Sequence, residues 1–379
     1  MAHRFLTGGE SHGPCLTVIV EGFPAGLSVP EDEINRDLAR RQGGYGRSGR
    51  QRIEHDAVQF LGGVEAGVTT GGPIVMQIAN RDYANFIKKE HPPLTAPRPG
   101  HADLVGAVKY RYSDMRTALE RSSARETAAR TAAGALAKLL LREFGVEVGS
   151  LVTEIGDAAA PGIDLSRPDS LLEATEASPV RCPDTEATEA MKACIDNARR
   201  TGNTLGGVFV VWATGLPVGL GSYVHWDRRL DGLLAYAVMS IQAIKGVEIG
   251  EAFDNARRSG RDVHDQIYAG ENGLERRTNR AGGLEGGVTN GQPLIVRAAM
   301  KPISTTINPL QTVDVATGEA AATQYQRSDF CAVPAAGVVG EAMVAWVLAE
   351  ALHEKLGGDS LEEMRERFPS LAPKVGVFG

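Results

Sequence analysis

The sequence predicts an α+β fold, and three observations lead to this prediction. Short β-rich runs and helix-like segments intermix along the chain, but they do not repeat as strand–helix–strand units. No internal sequence repeat is present. The 45 glycines concentrate in residues 43–49, 62–72, 202–221 and 270–291, which indicates many turns and close backbone approaches. Together these features favour α+β over a doubly wound parallel sheet.

Each predicted strand is a short run rich in apolar and β-branched residues. The runs are 15–20, 57–61, 74–78, 148–155, 207–213 and 293–299. No low-complexity linker separates them, and residues 156–183 are the expected surface excursion.

Two of the predicted helices have well-marked ends. Pro30 stands at a first helical position, acidic residues 31–33 follow it, and Gly43 lies beyond a basic last turn. Ser123 and Glu126 have capping-box spacing at the start of an alanine-rich run that Gly145 closes. The predicted helices are 30–41, 123–143, 184–200, 231–244 and 335–356.

Composition restricts the class of protein. A chain of 379 residues with 42% hydrophobic content can bury one large core or two smaller ones, and length alone favours two domains. The net charge of −7 argues against a broad nucleic-acid surface but permits a small basic pocket.

The four cysteines are Cys15, Cys182, Cys194 and Cys331. They form no CxxC pair, so we expect reduced, buried thiols. The N-terminus has no signal-like pattern and no window approaches membrane-spanning apolar length, which predicts a cytoplasmic protein without a membrane partner.

Three short segments carry candidate chemistry. Residues 7–14 place Ser11 and His12 between glycines just before a strand, where a histidine can exchange protons near neutral pH. For this turn alone, an ordinary hydrogen-bonded histidine is the favoured interpretation. His101 lies on a second Pro/Gly turn, and Arg327 and Asp329 stand just before a long apolar helix.

A cluster of arginines lies among glycines in residues 40–52. Arginine binds phosphate and carboxylate with two parallel hydrogen bonds, and glycines let a loop fold around a small anion. A solvated basic loop is an equally good interpretation of this segment alone. The cluster comprises Arg40, Arg41, Arg47, Arg50 and Arg52.

Two formal motif matches fail in their context. Residues 44–49 fit GxGxxG but follow a helix end instead of a strand, which argues against a dinucleotide fold. Residues 9–13 fit GxSxG, yet only eight residues precede them and a β-like run follows, which argues against a serine hydrolase. The remaining histidines form no HxxxH or HExxH pair, so we predict no protein-bound catalytic metal.

The sequence resembles the chorismate synthase family over nearly its whole length. The signature regions that carry the resemblance are 9–22, 121–127 and 327–329 running into Glu341, with shorter matches at 40–47, 242–250 and 282–291. Gly8 stands where alanine is common in the family, and the chain beyond Gly357 carries no family pattern.

The resemblance implies one domain over residues 1–379, with helices sandwiched between two antiparallel β-sheets, and a homotetramer. It implies a lyase that converts 5-enolpyruvylshikimate 3-phosphate to chorismate by trans 1,4-elimination of phosphate and a ring proton. Reduced FMN is the implied cofactor, without net redox change, and NADPH enters only indirectly, for flavin reduction. Whether the chain reduces its own flavin or depends on a separate reductase stays open.

The resemblance also implies roles for single residues. Asp329 accepts the ring proton together with the flavin, His12 donates a proton to the flavin or its anion, and His101 stabilises the departing phosphate. The implied substrate-binding residues are Ser11, Arg41, Arg47, Arg50, Ser123, Arg125 and Arg327. The implied cofactor-binding residues are Arg41, Arg47, Arg121, Ser122, Ser123, Gln242, Ala243, Gly286, Lys301, Pro302, Ile303, Ser304, Thr305 and Arg327.

Some of these residues have simpler interpretations. Ser123 taken alone is better explained as a helix N-cap, and Asp329 can cap the helix that starts near Ala332 while also serving as a base. Arg41 and Arg47 match positions sometimes assigned to NADPH, but no independent nucleotide fold supports that assignment. The alternative function is a non-catalytic flavin- or nucleotide-binding protein; intact His12, His101 and Asp329 weigh against it.

Overall fold

A computed structural model describes residues 3–49, 54–270, 273–325 and 328–371. The candidate residues Arg50, Arg52 and Arg327 lie outside these ranges. Within them the chain forms helices and antiparallel sheets in mixed order, as the α+β prediction states.

The longer strands assemble into two antiparallel sheets, with orders β1-β2-β6-β3 and β10-β15-β9-β7-β8, and short hairpins complete the β-structure. The strands are β1 Arg4–Gly8, β2 Cys15–Glu21, β3 Val58–Gly62, β4 Val64–Glu65, β5 Val68–Thr69, β6 Ile74–Ala79, β7 Glu147–Ile155, β8 Ala158–Ala159, β9 Gly207–Thr214, β10 Ile244–Ile249, β11 Ile267–Gly270, β12 Gly273–Arg276, β13 Leu284–Glu285, β14 Val288–Thr289, β15 Leu294–Met300, β16 Gln311–Val313 and β17 Ala320–Ala322.

The strand sequences match their burial. In β2, Leu16, Val18 and Val20 are buried while the residues between them are less so, which is the alternation of a strand with one covered face. Val18 pairs with Thr7 on β1 and with Met76 on β6. In contrast, β9 is apolar without alternation and is buried on both faces along most of its length.

The helices include all five predicted ones and several shorter ones that the sequence pattern does not mark. They are α1 Glu31–Gln42, α2 Tyr83–Phe86, α3 Asp103–Tyr110, α4 Arg116–Ser122, α5 Thr127–Arg142, α6 Leu172–Ala177, α7 Thr185–Thr201, α8 Leu230–Met239, α9 Ala252–Asn255, α10 Gly260–Val263, α11 Val333–Leu356 and α12 Leu361–Arg367. Helix α8 ends earlier than predicted because residues 244–249 form β10.

Helices α5 and α11 form the centre of the packing. Helix α5 contacts β2 and β6 of the first sheet, α11 contacts β7 and β9 of the second, and the two helices contact each other. Their close crossing depends on Gly134, where an added Cβ would lie 2.2 Å from the Cβ of Ala342. One hydrophobic core cluster runs from Leu16 to Met364 through both sheets and these helices.

A buried ion network ties α1 to α5 and α11. Glu341 on α11 is fully buried, and its carboxylate accepts hydrogen bonds from Arg40, Lys138 and Arg181. Burial alone raises the pKa of Glu341, but these three cations outweigh it and hold that pKa well below its usual value. Because Arg40 is fixed in this way, the last turn of α1 is fixed as well, and with it the neighbouring Arg41.

The start of the alanine-rich helix corrects one prediction. Arg121 and Ser122 belong to the last turn of α4, and Ser123 leaves the helical conformation with ψ 141°. Ser123 caps a 3₁₀ turn over Ala124–Glu126 by accepting a 3.3 Å hydrogen bond from the Arg125 N–H. The predicted capping box does not form, since the Glu126 carboxylate binds other side chains. A capping box does form at Ser360 and Glu363 on α12, which the sequence analysis missed.

Helix α11 corrects the expectation that no segment approaches membrane-spanning length. It has 24 residues, and its most apolar window has a mean hydropathy of 1.6. Yet 94% of that window is buried inside the protein, as in the core helix of a globular domain. The helix therefore gives no support to a membrane-spanning role.

Candidate active site

A cavity of about 550 Å³ lies where the end of α1, the loop before α3, the α8–β10 connection and the start of α11 meet. Most of the predicted site residues within the described ranges line it. These are Arg41, Arg47, His101, Ser122, Ser123, Arg125, Gln242, Ala243, Lys301, Ile303, Ser304, Thr305 and Asp329. Segments far apart in sequence therefore converge on one pocket.

Two arginines of the cavity share one carboxylate. Arg41 Nη2 lies 2.6 Å from Asp56 Oδ2, and Arg125 Nη1 lies 2.7 Å from the same oxygen. Burial, together with the positive charges of Arg125 and Arg47, lowers the pKa of Arg41 to about 10 even though Asp56 opposes the shift. Arg41 Nε and Arg125 Nη2 are buried without a hydrogen-bond partner in the described part of the chain. The pair therefore retains N–H donors and positive charge for an anionic ligand.

Asp329 is held by the segment that follows α1 and contains Arg47 and Ser48. Its Oδ2 lies 2.7 Å from Arg47 Nη1, and its Oδ1 accepts a 2.6 Å hydrogen bond from the Ser48 N–H. The N-cap of α11 is Ala332, without a side-chain cap bond, so the expectation that Asp329 caps this helix is wrong. The carboxylate instead faces the cavity beside Arg47.

His101 belongs to a compact polar cluster at the start of α3. Its Nδ1 lies 2.6 Å from Asp103 Oδ1, and Arg98 donates to both oxygens of Asp103. Burial alone raises the pKa of Asp103, but hydrogen bonds from His101 and Arg98 hold it well below its usual value. Arg98 also donates to Thr305 Oγ1 at 2.8 Å, which links this cluster to the segment after β15.

His12 and Ser11 lie beside the cavity instead of in its lining. His12 Nδ1 is 2.8 Å from Glu120 Oε1, and the ring stacks on Phe86 with centroids 4.6 Å apart. Ser11 accepts a 3.2 Å hydrogen bond from Ser123, which does line the cavity. The opening turn is thus one side chain away from the pocket.

Lys301 marks the other end of the cavity. Its Nζ donates to the Gly100 carbonyl at 2.9 Å and to Ser304 Oγ at 3.1 Å. Burial and the nearby charge of Lys245 lower the pKa of Lys301. An ammonium with only neutral partners among the described residues is suited to bind an anionic group.

Three predicted flavin contacts lie off the cavity lining. Arg121 donates from an exposed position to the Thr7 carbonyl, and Pro302 lies in the segment after β15. Gly286 lies in the β13–β14 hairpin, and its neighbour Gly287 packs against Arg229, at the opposite end of α8 from Gln242. A helix of 10 residues separates these ends by about 15 Å.

The sequence analysis did not assign three polar residues that organise this pocket. Asp56 follows the arginine loop, and Arg98 and Asp103 flank His101 at spacings of three and two residues. The close spacing of Arg98, His101 and Asp103 was the available indication. Nothing local marks Asp56, because its partners Arg41 and Arg125 lie 15 and 69 residues away in the sequence. In the ranges that the structure describes, no cluster of His, Cys, Asp or Glu is arranged to hold a metal ion.

Comparisons with known proteins agree with one another. A family model described as chorismate synthase matches residues 3–353. The chorismate synthase of Chlorobaculum tepidum is 54% identical over 382 residues, covering 96% of each chain. That of Desulforamulus reducens is 56% identical over 374 residues, covering 96% of this chain and 97% of its own. A solved crystal structure of chorismate synthase has a TM-score of 0.81 at 46% identity, covering 98% of this chain and 97% of that one.

A mixed fold with antiparallel sheets and an arginine-lined cavity indicates a protein that binds a small anionic ligand. The matched family and relatives specify which protein. The chain belongs to the chorismate synthase family, and its activity is that of chorismate synthase, a lyase of the shikimate pathway.

Proposed function

We propose that the cavity binds 5-enolpyruvylshikimate 3-phosphate beside reduced FMN, and that the chain catalyses the trans 1,4-elimination of phosphate and a ring proton. One observation carries this proposal: Arg41, Arg47 and Arg125 converge in one cavity with Asp329 and His101. The substrate has one phosphate and two carboxylates, so it requires several cationic donors in one pocket.

The arginines supply the substrate contacts. Arg41 Nε, Arg47 Nε and Arg125 Nη2 are buried and lack hydrogen-bond partners in the described ranges. A buried unpaired donor is costly, and an anionic substrate offsets that cost when it binds. Ser11 and Ser123 lie next to these groups and assist, and Arg50 and Arg327 remain candidates outside the described residues. We assign Arg41 and Arg47 to the substrate in preference to NADPH, since both line the cavity and each has a buried Nε without a hydrogen-bond partner among the described residues.

The remaining lining fits a flavin. Ile241, Met300 and Val339 offer an apolar wall, and Lys301 with Ser304 offers donors for a phosphate. Reduced FMN, when bound, would lend an electron to the allylic system and recover it, which assists departure of the phosphate without net redox change. The other proposed contacts are Arg121, Ser122, Ser123, Gln242, Ala243, Gly286, Pro302, Ile303 and Thr305, of which Arg121, Gly286 and Pro302 are proposed on the resemblance alone.

The side chains around the substrate move its protons. Asp329 accepts the ring proton, and the Ser48 N–H and Arg47 hold its carboxylate in place. His101 stabilises the departing phosphate from the turn before α3. His12 would donate a proton to the flavin or its anion from the opening turn, where Glu120 orients its ring through Nδ1.

We also propose the finer architecture that the family implies: one domain, with α5 and α11 sandwiched between the two sheets, in a cytoplasmic homotetramer. The contacts of α5 with the first sheet, of α11 with the second, and of the two helices with each other support the layered arrangement. The single large core cluster supports one domain. NADPH enters only through reduction of the flavin, by the chain itself or by a separate reductase.

Anaerobic turnover of purified protein tests the cofactor. Chorismate should form with reduced FMN and not with oxidised FMN lacking a reductant, because no described residue can lend and recover an electron. Turnover with oxidised flavin alone would refute the proposal. Flavin binding without chorismate formation under reducing conditions would favour the alternative, a non-catalytic flavin- or nucleotide-binding protein.

A further inference from the structure

The polar cluster around His101 leaves only one consistent proton arrangement. His101 Nδ1 is 2.6 Å from Asp103 Oδ1 and 3.0 Å from Arg98 Nη2. Arg98 Nη2 is always a donor, and an ionised carboxylate is always an acceptor. Nδ1 can therefore either donate to Asp103 or accept from Arg98, but it cannot do both.

The distances and the burial decide between the two. Asp103 is fully buried, and Arg98 donates to it from Nε at 2.8 Å and from Nη2 at 3.0 Å. This ion pair keeps the carboxylate charged, so a bare Nδ1 at 2.6 Å would bring two lone pairs together. The proton must lie on Nδ1. Nε2, on the opposite side of a ring that lines the cavity, is then the nitrogen left for a ligand.

We propose that Asp103 is a positioning residue: it holds a proton on His101 Nδ1, so that the proton His101 gains and gives up is the one on Nε2, facing the departing phosphate. This inference rests on the proposed role of His101. Arg98 acts through Asp103, since its two hydrogen bonds hold both carboxylate oxygens in place beside Nδ1.

The chain contains a matched control for this geometry. His225 Nδ1 is also 2.6 Å from Asp227 Oδ1, with the same spacing of two residues. Those side chains are 60% and 54% exposed, against 23% for His101 and none for Asp103, and they lie outside the cavity lining. The two pairs therefore share local geometry but differ in burial and location.

Steady-state kinetics of the holoenzyme test the proposal. In Asp103→Asn the amide can turn its NH₂ towards Nδ1, which favours the opposite tautomer: the ring proton then lies on Nε2, and the nitrogen that can accept a proton is Nδ1, on the side away from the cavity. We expect kcat to fall by ~100-fold or more, while the KM for the substrate changes less than ~3-fold. Asp227→Asn should leave both constants unchanged. A kcat for Asp103→Asn within ~3-fold of the parent would overturn the proposal.

A double-mutant comparison separates positioning from a general structural effect. If Asp103 acts only through the ring, Asp103→Asn should cost less than ~3-fold in a His101→Ala background. A further ~100-fold loss in that background would show that Asp103 acts independently of His101, and would overturn the proposal. A fully active His101→Ala variant would instead refute the proposed role of His101, so the two failures are distinguishable.

The tautomer can also be measured without a substitution at Asp103. In ¹⁵N-histidine-labelled parent protein, the His101 resonances are assigned by their absence in His101→Ala. At a pH where the ring is neutral, Nδ1 should have the chemical shift of a protonated nitrogen and Nε2 that of a bare one. The reverse pattern would overturn the proposal, and this result does not depend on whether Asp103→Asn folds.

Discussion

The crossing of α5 and α11 gives a stability prediction with a built-in control. Gly134 lies in the middle of α5, and an ideal Cβ placed there would be 2.2 Å from Ala342 Cβ and 2.3 Å from Ala342 Cα. Gly232, near the start of α8, has no atom within 4 Å of its ideal Cβ. Replacing each glycine by alanine is the same chemical change in two different environments.

The magnitudes follow from these distances. Alanine has a helix propensity about 1 kcal/mol more favourable than glycine, so Gly232→Ala should raise the free energy of unfolding by roughly that amount. Gly134→Ala gains the same propensity, but Ala342 backbone must move by about 1 Å or more, and such overpacking costs typically ~1–3 kcal/mol or more. The group that must move is backbone and not the end of a flexible side chain, so we expect an overpacking cost in the upper part of this range. After the propensity gain is subtracted, the free energy of unfolding should fall by about 2 kcal/mol.

Urea denaturation followed by tryptophan fluorescence measures both variants at one protomer concentration. The two substitutions should differ by about 3 kcal/mol and have opposite signs relative to the parent. Equal m-values would show that the unfolded reference is shared. If Gly134→Ala were as stable as Gly232→Ala, the close α5–α11 crossing would be incorrect.

Further predictions concern the site and the N-terminal histidine. Asp329→Asn should lower kcat by ~100-fold or more, because Asn cannot accept the proton. Flavin binding and thermal stability should be retained, because Asp329 does not cap α11. Normal turnover would refute the role of Asp329 as the base. Arg47→Ala should raise the substrate KM by an amount equivalent to about 2–3 kcal/mol. An unchanged KM at low salt would show that the segment containing Arg47 is a solvated loop that does not bind the substrate. Ser11→Ala should retain substantial activity. Loss of activity together with a covalent acyl-enzyme in the parent would instead support the serine-hydrolase interpretation. Burial and His353 lower the pKa of His3 from 6.5 to about 3, so its stability contribution is complete above pH 6.5 and is lost as the pH falls towards 3. At pH 5 the loss is about 2 kcal/mol, and it should be absent in His3→Gln; parallel stability curves for the two proteins would contradict this.

The longer elements could be predicted because their signals are local. All five predicted helices form, and all six predicted runs overlap a strand, because periodicity, caps and apolar runs act over a few residues. The short helices α3 and α4 were missed, since eight and seven residues carry too little periodicity. The helical boundary at Ser123 was misplaced because Glu126 binds Thr7, a residue that only the tertiary fold brings near.

The site was predictable in its members but not in its pairing. Motifs named His101, Asp329 and Arg47, and all three line the cavity. The sequence does not predict that Arg47 pairs with Asp329, which lies 282 residues further along the chain, or that Arg41 and Arg125 both contact Asp56. These contacts depend on how α1, α5 and α11 pack, so they follow from the assembled core and not from any local pattern.

The pairing also separates the arginines at the cavity into those whose charge a carboxylate neutralises and those that keep a net positive charge. Asp103 neutralises Arg98, and Asp329 neutralises Arg47, whereas Arg41 and Arg125 share one carboxylate, through the same oxygen of Asp56. The Arg41–Asp56–Arg125 group therefore keeps a net positive charge in a buried position, and the lowered pKa of Arg41 is a consequence of that burial and of the neighbouring cations. An anionic substrate is drawn to this group, because the neutralised pairs attract it less. Two of the groups proposed to move protons, Asp329 and His101, each belong to a neutralised pair or cluster, so at these two residues proton transfer depends on charges other than those that attract the substrate.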